Sequence, residues 1–120
     1  MAKPVHINTS AAPESARSVA AQAMSDRGFQ VSWVDPWSAV GIHGNQGQAV
    51  LLRENTGIYV RAELHVTTFP GGCTVTLRRT SKAWGTNGNG LARTKRLMRT
   101  LVDDIGRTLA AHGHHVDVAG

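Results

Sequence analysis

Seven basic side chains and no acidic one fall between Arg78 and Arg99: Arg78, Arg79, Lys82, Arg93, Lys95, Arg96 and Arg99. Trp84 and the glycine-rich run GTNGNG, residues 85–90, lie among them. Cations grouped in this way neutralise phosphate or carboxylate, and a flat ring among them can stack on a base. Arg78, Lys82, Trp84, Arg93, Lys95, Arg96 and Arg99 are therefore the expected anion-binding residues. The formal net charge of the chain is +5. Residues 1–60 carry four Lys/Arg against four Asp/Glu, so the whole excess sits in the second half. That asymmetry suits a nucleic acid, an acidic protein or an anionic lipid surface as partner, and equally a face that only solubilises.

Other chemistries fare worse. Gly85 and Gly90 have the spacing of a phosphate loop, but Leu91 and Ala92 stand where such a loop needs Lys and Ser/Thr. The stretch also follows an antiparallel hairpin, so nucleotide hydrolysis is excluded and a connector rich in turn-forming Asn and Gly is expected. Cys73 is the only cysteine, which rules out an intrachain disulfide and a thiolate metal cluster. It follows two glycines in a turn, with no base placed beside it. No G-x-S-x-G elbow occurs, and the few acids are scattered. No catalytic residue is assigned, and no enzymatic activity is expected. His112, His114 and His115 make a dense terminal run, but nothing in the sequence would hold the rings rigidly, so neither a metal site nor a cofactor is expected. His43 and His65 read as strand residues facing water. A second ligand class is a small apolar molecule held between sheet and final helix. Its lining would be Trp33, Trp37, Met98 and Val102, residues that would serve equally well as ordinary core.

The elements that carry these residues follow from periodicity. Val5 and Ile7 alternate with His6 and Asn8, which predicts a short first strand. A helix then starts near Ser10 or Ala12 with Pro13 in its first turn and stops at Gly28. Its inward stripe is Ala16, Val19, Ala20, Ala23 and Met24, small enough to let a neighbour come close. FQVSWV alternates as a strand and is broken at Asp35-Pro36. SAVGIHG and QAVLLR follow as short strands, with Val40 and Ile42 sharing one face of the first and GNQG and ENTG as turns. Ile58, Val60, Ala62, Leu64 and Val66 then alternate with Tyr59, Arg61, Glu63, His65 and Thr67. FPGGC turns this strand into TVTLRRT, a hairpin with one apolar and one polar face. Pairing Val66 with Leu77 sets His65 against Arg78 and Tyr59 against Trp84; a shift of two residues keeps the same faces. On the polar face Glu63 can balance Arg61 or Arg78. Arg79 falls on the apolar side, which calls for a bulge or a snorkelling stem.

From about Leu91 to His112, Leu91, Leu97, Met98, Leu101, Val102, Ile105 and Leu109 share one arc of a long amphipathic helix. Gly113 ends it, and residues 113–120 are expected to fray. The fold class is α+β in two layers, β-α-β(4–5)-α, with both helices on one face of a curled antiparallel sheet and residues 1–120 as a single domain. The Ala-rich helix ending in DRGFQVSWVDP, the hairpin and the last helix resemble the helix-grip and TATA-binding-protein-like group of folds. They resemble especially the small domains of bacterial envelope-assembly lipoproteins, from which this chain departs in having no lipobox and no signal. The resemblance is one of topology, and such folds host many unrelated functions. With no transmembrane run, no apolar leader and one cysteine, a cytoplasmic binding or interaction module is the expected class.

Overall fold

The computed structural model describes residues 3–44, 60–80 and 88–119. These residues form strands β1 (Val5–Thr9), β2 (Phe29–Asp35), β3 (Ser38–His43), β4 (Val60–Phe69), β5 (Gly72–Arg79) and β6 (Val116–Ala119), with helices α1 (Pro13–Asp26) and α2 (Gly88–Ala111). All pairings are antiparallel, and the sheet order is β2-β3-β4-β5-β1-β6. Both helices cover one face of the sheet, so the architecture is the expected two-layer α+β arrangement.

Local chemistry sets the helix ends. Pro13 opens α1 after Ala12, where a missing N–H costs nothing. Both helices end on a left-handed glycine. Gly28 (φ 90°) donates its N–H to the Ser25 carbonyl, and Gly113 (φ 87°) donates to Ala110 while His114 donates to Leu109. The second pair of bonds is a Schellman motif, which satisfies carbonyls that a helix end otherwise strands. Ala16, Ala20, Ala23 and Met24 of α1 are buried, as are Leu101, Val102, Ile105 and Leu109 of α2. Against them pack Ile7, Phe29, Val60, Ala62, Leu64, Val66, Val75 and Leu77 from the sheet. Small residues let α1 come close. The place a side chain would take at Gly41 is occupied by the Met24 methyl, so β3 turns Ala39 and Gly41 inward and presents Val40 and Ile42 to the open face.

The open register of the hairpin is decided and two expectations are corrected. The β4–β5 register pairs Val66 with Val75 and His65 with Thr76, two residues from the Val66–Leu77 alignment, with the faces unchanged. The cause is the turn. Pro70 and Gly71 (φ 92°) are its central residues, the arrangement of a type II turn, and this closes Phe69 onto Gly72. Residues 116–119 do not fray. Val116–Ala119 pairs with β1, whose outer edge would otherwise be open, and His115 and Ser10 exchange two hydrogen bonds that lead into it. The last helix begins at Gly88 rather than near Leu91, since a first turn has few backbone bonds for glycine to weaken. The strand QAVLLR, the Tyr59–Trp84 pairing and residues 85–87 of the glycine-rich connector lie outside the described residues.

Candidate functional site

Helix α2 runs for 24 residues, ~36 Å at ~1.5 Å per residue. Its apolar arc is spent on the core, with Leu101, Ile105 and Leu109 fully buried and Leu97 and Met98 packed at the margin. Thr94, also buried, extends the inward arc toward the helix start. The outer arc of this first half carries Lys95, Arg96 and Arg99, all exposed, and half-buried Arg93 lies on its flank. None of the four has an ion-pair partner among the described residues. No acid lies between Gly88 and Val102. Farther along the helix the picture reverses. Asp104 receives Arg27 at 2.6 Å and Arg107 at 2.9 Å. The hydrogen bond from Arg27 is the main cause that holds the Asp104 carboxyl below its ordinary range, and the same contact raises Arg27. The helix thus divides into a neutralised second half and an unneutralised basic first half.

The remaining expected residues are dispersed. Arg78 belongs to the other side of the sheet. It faces the side of the sheet away from α1 and α2 and hydrogen-bonds Glu63 at 2.8 Å across β4–β5. This bond pulls the Glu63 carboxyl below its usual range, against burial, with a smaller contribution from His65. Arg78 is thereby both neutralised and separated by the sheet from the α2 cations. Of the expected anion-binding residues, Arg78 and the four α2 cations therefore lie on opposite sides of the sheet. Lys82 and Trp84 lie outside the described residues. Arg79 does project toward the helical layer, with no bulge in the β4–β5 ladder, and its Nη1 is buried without a hydrogen-bond partner among the described residues.

The open face was only half visible in the sequence. Ser38, His65, Thr76 and His6 form one row across four strands. Ser38 Oγ lies 3.0 Å from His65 Nδ1, and Thr76 Oγ1 lies 3.0 Å from His6 Nδ1. His65 Nε2 is 3.6 Å from Glu63. Serine, imidazole and carboxylate thus adjoin, but Glu63 is already taken by Arg78 and the neighbouring backbone N–H groups are spent in the ladder. Among the described residues no hydrogen-bond donors converge beside Ser38 where an oxyanion would develop. Glu63 and Arg78 could be read as partners from the hairpin alone. Ser38 and His6 could not, because each reaches the row through a distant strand.

The apolar set is divided. Trp33 lies on edge strand β2 beneath the Arg17 guanidinium, 3.9 Å from its ring centre, and Trp37 lies in the following turn, both about one-third exposed. Met98 and Val102 lie on α2, and Val102 lines a groove with Gly106 and Val118 of β6, at the opposite edge of the sheet. The Cys73 thiol is fully buried, directed at the Ala11 carbonyl 3.5 Å away, and burial raises its pKa. Among the described residues no three His, Cys, Asp or Glu side chains are grouped to hold a metal ion. No described helix is long and apolar enough to cross a membrane. No protein-family model matches the chain, and no curated protein matches it either.

Proposed function

We propose that the chain is a binding module without catalysis of its own, which holds the phosphate backbone of a nucleic acid along the basic first half of α2. The observation that carries this reading is the set of four cations, Arg93, Lys95, Arg96 and Arg99, without an acidic partner among the described residues. Elsewhere on the same helix the acid Asp104 is doubly paired. Unpaired cations in a row are free to replace counterions on phosphates, which is the source of sequence-independent affinity.

Two other anionic partners fit less well. A helix that lies in a membrane surface needs its apolar face for the acyl boundary. In α2 that face is already buried under Leu101, Ile105 and Leu109. A protein interface needs an apolar centre, and among the described residues none of the exposed large hydrophobic ones, Trp33, Val34, Trp37, Ile42, Phe69 and Val118, belongs to α2. A cytoplasmic location goes with this reading, since nucleic acid is met there.

The test is a low-salt anisotropy titration of a fluorescein-labelled 20-nucleotide single strand with the wild-type chain and with a Lys95→Gln, Arg96→Gln, Arg99→Gln variant. The reading expects saturable binding that weakens at least tenfold in the variant. Equal affinity of the two proteins would refute the assigned surface, and absence of binding would refute the function.

A further inference from the structure

Edge strands expose a row of unpaired N–H and C=O groups, and natural sheets protect them with charge, proline, bulges or shortness. Among the described residues the two edges of this sheet, β2 and β6, differ in that respect. Strand β6 has four residues and carries Asp117. Strand β2 has seven residues, and Phe29–Val34 contains no charged side chain. Its bulge is confined to the end, between Trp33 and Asp35. Four of the six exposed large hydrophobic residues among those described, Trp33, Val34, Trp37 and Ile42, gather on β2, its turn and the neighbouring strand.

We propose that β2 pairs antiparallel with β2 of a second copy of the chain, about a two-fold axis through Val31, joining the two sheets into one. The regular part of the strand, Phe29-Gln30-Val31-Ser32-Trp33, has the same chemical pattern in both directions. Self-pairing centred on Val31 sets Phe29 against Trp33 on the helix side, Val31 against itself, and Gln30 against Ser32 on the open side. The same register sets Arg27, which Asp104 holds, opposite Asp35 of the other copy, and the Arg17 guanidinium covers Trp33 on the helix side of the seam. An isologous contact needs such self-complementarity, and a closed dimer leaves no free β2 edge. The basic face of α2 is not consumed, so the dimer is independent of the nucleic-acid reading.

The seam is small. Seven residues at ~3.4 Å each give ~24 Å of length, and a sheet with one helical layer is ~20 Å deep, so two copies bury on the order of 1,000 Å² in total. Stable interfaces start near ~1,200 Å², which makes this a reversible dimer that forms at high protein concentration.

Sedimentation equilibrium tests it, using Gln30 and Ser32, both exposed on the open side. The 12.8 kDa chain should approach twice that mass at about 1 mM and remain single below about 10 μM. In the proposed register Gln30 faces Ser32 of the other copy. A Gln30→Lys, Ser32→Lys variant should therefore stay at the single-chain mass throughout, while a Gln30→Glu, Ser32→Lys variant should dimerise at least tenfold more tightly than wild type. Circular dichroism melts of both variants should match wild type, which separates loss of pairing from loss of fold. A wild-type chain that remains single at 1 mM overturns the proposal. So does a dimer that survives the two lysines, because its contact must then lie elsewhere.

Discussion

Gly72→Ala should be the most costly small change in the sheet, and Gly41→Ala provides its control. A side chain at Gly72 would overlap the Thr9 carbonyl oxygen and approach the Ser10 Cα to 3.0 Å. Both obstacles are backbone, and that backbone is fixed from several sides. Thr9 pairs with Cys73 on one flank and Val116 on the other, its Oγ1 accepts the Ala11 N–H, and Ser10 exchanges two bonds with His115. Relief requires β1 to move off β5. That adds ~1–3 kcal/mol of overpacking to one or two ladder bonds worth ~0.5–1.5 kcal/mol each. Loss of unfolded-chain entropy on adding the methyl returns ~0.4–1 kcal/mol. The net expectation is a destabilisation of ~2–4 kcal/mol. At Gly41 the obstacle is the Met24 methyl, the far end of a flexible thioether, with Phe29 at 3.2 Å. Met24 can swing aside, so the expected cost is below ~1.5 kcal/mol. Urea unfolding followed by circular dichroism reads both, and the linear extrapolation should put the Gly72→Ala midpoint ~1–2 M below wild type. A Gly72→Ala protein within ~0.5 kcal/mol of wild type, or one more stable than Gly41→Ala, would refute the account of how closely β1 and β5 approach.

Truncating the core face of α2 should be costly and truncating its outer face should not. Ile105→Ala should cost ~2–5 kcal/mol and Arg96→Ala less than ~0.5 kcal/mol, both read by the same urea experiment. The Glu63 carboxyl is held below its ordinary range by Arg78, so the stability it contributes is present above the unfolded value near ~4.3 and is lost as pH falls through the lower folded value. Both side chains are partly exposed, so Glu63→Gln should cost under ~1 kcal/mol at pH 7, and the difference from wild type should shrink in melts taken at successively lower pH below the ordinary carboxylate range. Cys73 should react with Ellman's reagent only when the chain unfolds, and Cys73→Ser should fold and retain nucleic-acid binding, as its buried thiol has no part in the site.

What the sequence disclosed depends on how local the controlling interaction is. The alternation of Val60, Ala62, Leu64 and Val66 shows which face of β4 is buried, because a period of two leaves no other choice. The register is less visible. Val66 can face Val75 or Leu77 without exposing anything, and only the Pro70-Gly71 turn decides between them. Strand β6 carried a signal, Val116 and Val118 flanking Asp117, but four residues form a strand only where an open edge is waiting, and that edge belongs to β1 at the far end of the chain. The basic segment misled for a related reason. Arg78 and Arg93 look like neighbours along the chain, yet one projects from the open face of the sheet and the other sits on a helix packed against the opposite face. Trp33 and Val102 suggested a common cavity and stand at opposite edges.

The salt dependence of wild-type binding tests the central claim most directly. If Arg93, Lys95, Arg96 and Arg99 each displace one counterion from a single-stranded oligonucleotide, the slope of log K against log salt is about 4 × −0.7, or roughly −2.8. Titrations of the labelled 20-mer from 25 to 200 mM salt should give a slope between about −2 and −4. A slope near zero, or affinity that rises with salt, would contradict phosphate binding by α2.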